Sequence, residues 1–133
     1  MREILFRGKT QQHTRWIYGD LNHYMCDDGV FIAENGHSMH RVLKDTVGQY
    51  TGLTDKNGKK IFEGDIVDMT GQWWNAAGPA GHESPITKVD WDDEICGFAP
   101  FANYDCDCGV YIEASGCKII GNIHDNPELL KGE

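Results

Sequence analysis

The residues of this 133-residue chain able to do chemistry fall into four groups. Cys106-Asp107-Cys108 places two soft ligands together, with Cys117 nine residues on, and six histidines are available to complete a tetrahedral zinc site. The spacing argues against it, because structural zinc sites use Cys-x2-4-Cys pairs and the two-pair pattern is absent. Glu63 with Asp65, and the run Asp90, Asp92, Asp93, Glu94, are paired carboxylates of the kind that serve acid-base or metal-dependent hydrolysis. In a strand Glu63 and Asp65 would share one face, so the geometry is possible. A strand entry and a solvated turn explain the same residues more simply. A Cys-His nucleophile lacks any supporting motif, and there is no P-loop or Gly-x-Gly-x-x-Gly. Trp73-Trp74 form the fourth group. Adjacent residues of an extended chain diverge to opposite faces, so two indoles cannot both enter one core, and Trp is enriched among binding anchors.

These groups must be positioned by a framework that reads as strands. Asp55-Lys56-Asn57-Gly58 is a turn signal, because Asn and Gly accept positive φ. It predicts a hairpin with arms Val47 to Leu53 and Lys60 to Met69, the second with a backbone bend permitted by Gly64. Asn35-Gly36 predicts a second, following Val30-Phe31-Ile32-Ala33 and with a polar return arm His37 to Arg41. Further strands are expected at Glu3 to Arg7, Arg15 to Leu21 (Ile17, Gly19 and Leu21 alternating with Trp16, Tyr18 and Asp20), Ile86 to Trp91, Gly97 to Phe101, Val110 to Glu113 and Cys117 to Ile123. Asn126-Pro127-Glu128 suits a helix start with Asn126 as N-cap. Residues 71–85, with Gly71, Gly78-Pro79, Gly81 and Pro85, sustain neither ladder nor helix and are expected to form an irregular insertion loop. Strand-like runs about ten residues apart, with 16 glycines, indicate a mainly β, antiparallel barrel or sandwich in one domain spanning 1–133.

Val47 to Met69, with its Gly-Asp-Ile-Val strand entry, together with Ile119-Ile120-Gly121-Asn122-Ile123-His124-Asp125-Asn126-Pro127-Glu128-Leu129-Leu130, resembles the YopX family of bacteriophage and prophage proteins. The opening Arg2 to Lys9 matches that family's usual start. The resemblance implies antiparallel strands in a pseudo-barrel with a bifurcated sheet and one short C-terminal helix. It implies no established biochemical activity. The Cys106/Cys108 pair is foreign to the family pattern, and His124 stands where the family often carries an aromatic residue, so packing or capping is expected of it.

Composition limits the partners. A net charge of -9 repels phosphate backbones, so no double-stranded nucleic acid is expected as ligand. No signal peptide is evident and no apolar run approaches the ~20 residues of a membrane span. A cytosolic protein of a bacterial host is expected, with the five cysteines reduced. The chain is thus read as an accessory or binding module, not an enzyme, with no cofactor, acting through protein contacts or self-association and with Trp73 and Trp74 as candidate anchors. The alternatives are a metal-dependent or carboxylate-based hydrolase, with Cys106, Cys108 and Cys117 as its metal option, and a single-stranded nucleic-acid binder.

Overall fold

The computed structural model describes residues 3–12, 14–23, 29–70, 85–94, 96–101 and 112–130. Trp73, Trp74, Cys106 and Cys108 lie outside them. The backbone clusters into two compact units, Met1–Gly52 and Leu53–Glu133.

The first unit is built from β1 (Phe6–Lys9), β2 (Trp16–His23), β3 (Val30–Glu34), β4 (Ser38–Val42), a 3-10 turn at Lys44–Thr46 and the start of β5 (Gly48–Thr54). All pairings are antiparallel, in the order β4-β3-β2-β1-β5. The alternation expected of the second strand is present: Ile17 is fully buried whereas Tyr18 is 44% exposed. The Asn35-Gly36 hairpin forms as the residue types require. Both residues take positive φ, 55° and 82°, and His37 N–H donates to Glu34 C=O across 3.2 Å. Ile17, Val30, Ile32 and Val42 make the core, with Phe6, Leu21 and Val47 against it. Gly19 lets two strands approach closely, for a Cβ there would lie 2.1 Å from Ala33 C=O. The sheet curls until Thr10, just beyond β1, bridges Val42 at the end of β4. Leu43 N–H to Lys9 C=O (2.8 Å) and Lys9 N–H to Thr46 Oγ1 (2.9 Å) hold that meeting point.

In the second unit, β6 (Lys60–Phe62) lies next to β5 in its sheet, while β7 (Asp65–Asp68), β8 (Ile86–Lys88), β9 (Asp90–Asp92), β10 (Gly97–Ala99) and β11 (Lys118–Asn122) form a three-stranded β11-β7-β8 sheet and a β9-β10 hairpin. Ile61, Val67, Met69, Val89, Ile112, Ala114 and Cys117 fill its core, with Phe98, Phe101 and Ile119 packed on them. Each fully buried aliphatic side chain contributes about 1.5–3 kcal/mol of transfer free energy. β7 and β8 are joined at their far end by Met69 N–H to Pro85 C=O, 2.7 Å.

The fold is mainly β with antiparallel sheets, and among the described residues no sheet closes into a barrel. Three local expectations are corrected. The arm Lys60 to Met69 is not one strand: Glu63-Gly64 turns the chain, with Gly64 at φ 92°, and Gly64 bonds on both sides, its N–H to Val89 C=O (2.7 Å) and its C=O from Ile123 N–H (2.8 Å). Ile112 and Glu113 are not in a strand but lead into a 3-10 turn at Ala114–Gly116. The expected short C-terminal helix is present as a 3-10 turn, Pro127–Leu130, but Asn126 does not cap it. Its Oδ1 turns back to accept Asn122 N–H at 3.3 Å.

Candidate functional site

The carboxylates divide into those that build the fold and those at the surface. Asp55 is only 4% exposed. Its Oδ1 accepts the N–H groups of Asn57 and Lys59, both at 2.9 Å, and its Oδ2 accepts that of Ile119 at 3.1 Å. Burial opposes its charge, but these three backbone donors, with the Lys59 ammonium nearby, outweigh burial and hold the carboxyl below its usual range. Asp65, 3% exposed, accepts Phe62 N–H at 2.8 Å across the Glu63-Gly64 turn. Because that turn interrupts the strand, Glu63 falls between β6 and β7 and does not share a strand face with Asp65.

The second carboxylate group is on the β9-β10 hairpin. Asp92 Oδ1 accepts Glu94 N–H at 2.9 Å, which shapes the turn, and Lys88 Nζ lies 3.5 Å from Asp90 Oδ2 at the surface. Trp91 is 47% exposed in their midst. Its ring meets Phe98, the cross-strand partner, edge to face at 5.2 Å, and its indole N–H donates to Asp93 at 2.6 Å. Asp90, Trp91, Asp92, Asp93 and Glu94 line an open hollow. The result is an indole held at a fixed angle inside an acidic rim. Sequence reasoning took Trp91 as an ordinary strand residue; its place beside the acidic turn was the available signal.

Of the thiols, Cys117 is fully buried and its S–H points to Glu113 C=O at 3.4 Å, while Cys96 is exposed. Among the described residues no three His, Cys, Asp or Glu side chains converge as metal ligands. His124 is held through its backbone, N–H to Asn122 Oδ1 at 3.0 Å.

The first unit contains a different feature, a pocket of about 370 Å³ where the curled sheet brings the end of β1 against β4. Thr10, Gln11, Gln12, Arg15, Met39, His40 and Arg41 line it, and no described lining residue is acidic. Glu34 stands beside it, its carboxylate 3.3 Å from His40 Nε2. Charge is unevenly spread along the chain: the first unit has six Lys and Arg against six Asp and Glu, the second six against fifteen, so the second carries the whole of the -9.

The sheets are antiparallel and the fold mainly β, and among the described residues no helix is long and apolar enough to cross a membrane. The YopX protein family model matches residues 5–131, and the chain belongs to that family. It is 25% identical over 130 residues to the SPbeta prophage-derived uncharacterized protein YopX of Bacillus subtilis (strain 168), covering 86% of this chain and 92% of that one. The crystal structure of protein EF1440 from Enterococcus faecalis is similar, with a TM-score of 0.53 and 22% identity over 98% of this chain and 99% of that chain, a likeness of fold.

Proposed function

We propose that the chain is a phage- or prophage-encoded accessory module working by protein-protein contact in the cytosol of a bacterial host, and that its two units act as one domain. The family membership and the prophage origin of the Bacillus relative support the setting. One observation supports the binding role above the others: Trp91, half-exposed yet oriented by Phe98 and Asp93, and rimmed by carboxylates. A pre-oriented indole loses little freedom on docking, and Trp is enriched among residues that dominate binding energy. The carboxylate rim favours a partner with a Lys- or Arg-rich face, which it would steer into place. Trp73 and Trp74 remain candidate anchors on the same chain, and self-association is the other form such contact takes.

The test is quantitative capture of partners from phage-infected cells with the wild-type chain, Trp91→Ala, and the Trp73→Ala/Trp74→Ala pair. A basic partner retained by the wild type, lost from Trp91→Ala and released by moderate salt is the expected result. Retention unchanged in both variants overturns the binding role of these indoles.

A further inference from the structure

We propose that the pocket between the end of β1 and β4 binds the phosphate group of an organic phosphate. Two guanidinium-bearing residues, Arg15 and Arg41, line it together with two amide side chains, Gln11 and Gln12, and no described carboxylate lines it, although the chain as a whole is strongly acidic. Guanidinium groups match the planar, bidentate geometry of phosphate oxygens, and amide N–H groups supply neutral donors beside them. Thr10 N–H donates to Arg15 C=O (2.9 Å), Arg15 N–H donates to Thr10 Oγ1 (3.0 Å), and that hydroxyl donates to Gln12 C=O (2.5 Å). Arg41 is steadied by its cross-strand neighbour Phe31, whose ring centroid lies 5.7 Å from the guanidinium carbon. Glu34 lies beside His40, its carboxylate 3.3 Å from Nε2, and is not among the lining residues.

Size narrows the ligand. About 370 Å³ exceeds what a bare ion needs and lies within the range of small-molecule sites. Met39, 40% exposed, adds an apolar wall on which the organic part of the ligand can rest. Phosphate on an organic group comes from two sources, a free mononucleotide or sugar phosphate, and the backbone of a single-stranded nucleic acid. For the second, Lys9, whose ammonium lies 5.9 Å from the Trp16 ring, provides a cation beside an aromatic ring on the adjoining β1-β2 hairpin. This site lies wholly in the first unit, so it stands or falls separately from the Trp91 reading.

The experiment is calorimetric titration of the full chain with a nucleoside 5′-monophosphate and with a short single-stranded oligonucleotide, each with inorganic phosphate as competitor. Saturable binding that phosphate competes away, and that weakens at least about tenfold in Arg15→Gln and again in Arg15→Gln/Arg41→Gln, is expected. Arg41→Lys, which retains the charge near Phe31, should recover part of the second loss, and circular dichroism checks that each variant is folded. Equal affinity for both ligands identifies the monophosphate as sufficient; much tighter, steeply salt-dependent oligonucleotide binding identifies the strand. Absence of saturable binding for either ligand, or wild-type affinity in the folded double-Gln variant, overturns the proposal.

Discussion

The carboxylate of Asp55 and the backbone N–H of Ile119 meet at 3.1 Å although 64 residues separate them in the chain. One residue thus closes the Asp55 to Gly58 turn and ties it to β11, a link reinforced by Lys56 N–H donating to Cys117 C=O at 2.9 Å. The two stretches that carry the family pattern are joined by this carboxylate.

Asp55→Ala is therefore expected to lower stability by roughly 2–3 kcal/mol at pH 7, since a charged acceptor leaves three donors behind. Asp55→Asn retains an acceptor for the turn but sets an NH2 group against either Ile119 or the turn amides, so it should lie between wild type and Ala. Because the folded-state carboxyl titrates below its ordinary 3.8, its contribution is complete above that value and is lost as pH falls through the lower, folded value. Urea melts at pH 7 and near pH 3 check this, and the wild-type advantage over Asp55→Asn should shrink at the lower pH.

Glycine substitutions separate backbone crowding from backbone strain. Gly19→Ala forces a Cβ to within 2.1 Å of Ala33 C=O, and a carbonyl in a paired strand cannot step aside. Its cost should reach or exceed the upper end of the roughly 1–3 kcal/mol of ordinary overpacking. Gly36→Ala meets open space and bears only the φ of 82°, about 1 kcal/mol. Thermal or urea unfolding of both variants gives the comparison.

Asp65→Ala is expected to destabilise by about 1–3 kcal/mol through the orphaned Phe62 N–H. A hydrolase built on Glu63 and Asp65 would instead show Asp65→Asn abolishing turnover in a chain of near-normal stability, which denaturant melts and a hydrolysis screen would detect.

Elemental analysis of the purified protein is expected to find no stoichiometric zinc. One zinc per chain, lost on changing Cys106 and Cys108 to Ser, would establish a metal centre there.

Calorimetric unfolding of the whole chain is expected to show one transition, as β5 runs unbroken through Gly52-Leu53, where the two units divide. Two resolved transitions would show that the units fold independently.

The local chemistry of turns was legible. Asn35-Gly36 and Asp55 to Gly58 form hairpin turns because their residue types accept the required dihedrals, and the strands between follow from alternation. A bend at Gly64 was legible from the glycine, but its extent was not, because alternation across Phe62 to Val67 cannot reveal that Asp65 captures Phe62 N–H and splits the arm into two strands. The pocket was out of reach for another reason. Arg15 and Arg41 come together through the Thr10 to Val42 bridge, a long-range pairing with no local signature. The one available hint was a polar stretch from Lys9 to Arg15 without an acidic residue.

The bond between Met69 N–H and Pro85 C=O brings the two ends of the intervening segment to adjacent points of the β7-β8 pair. Chain added between those ends leaves the register of Asp68 with Ile86 untouched, and doubling its length adds only about 0.6 kcal/mol of closure entropy. Lineages can therefore lengthen, shorten or rewrite this stretch without redesigning the sheets. The same anchorage makes it a practical place to graft a peptide epitope or reporter.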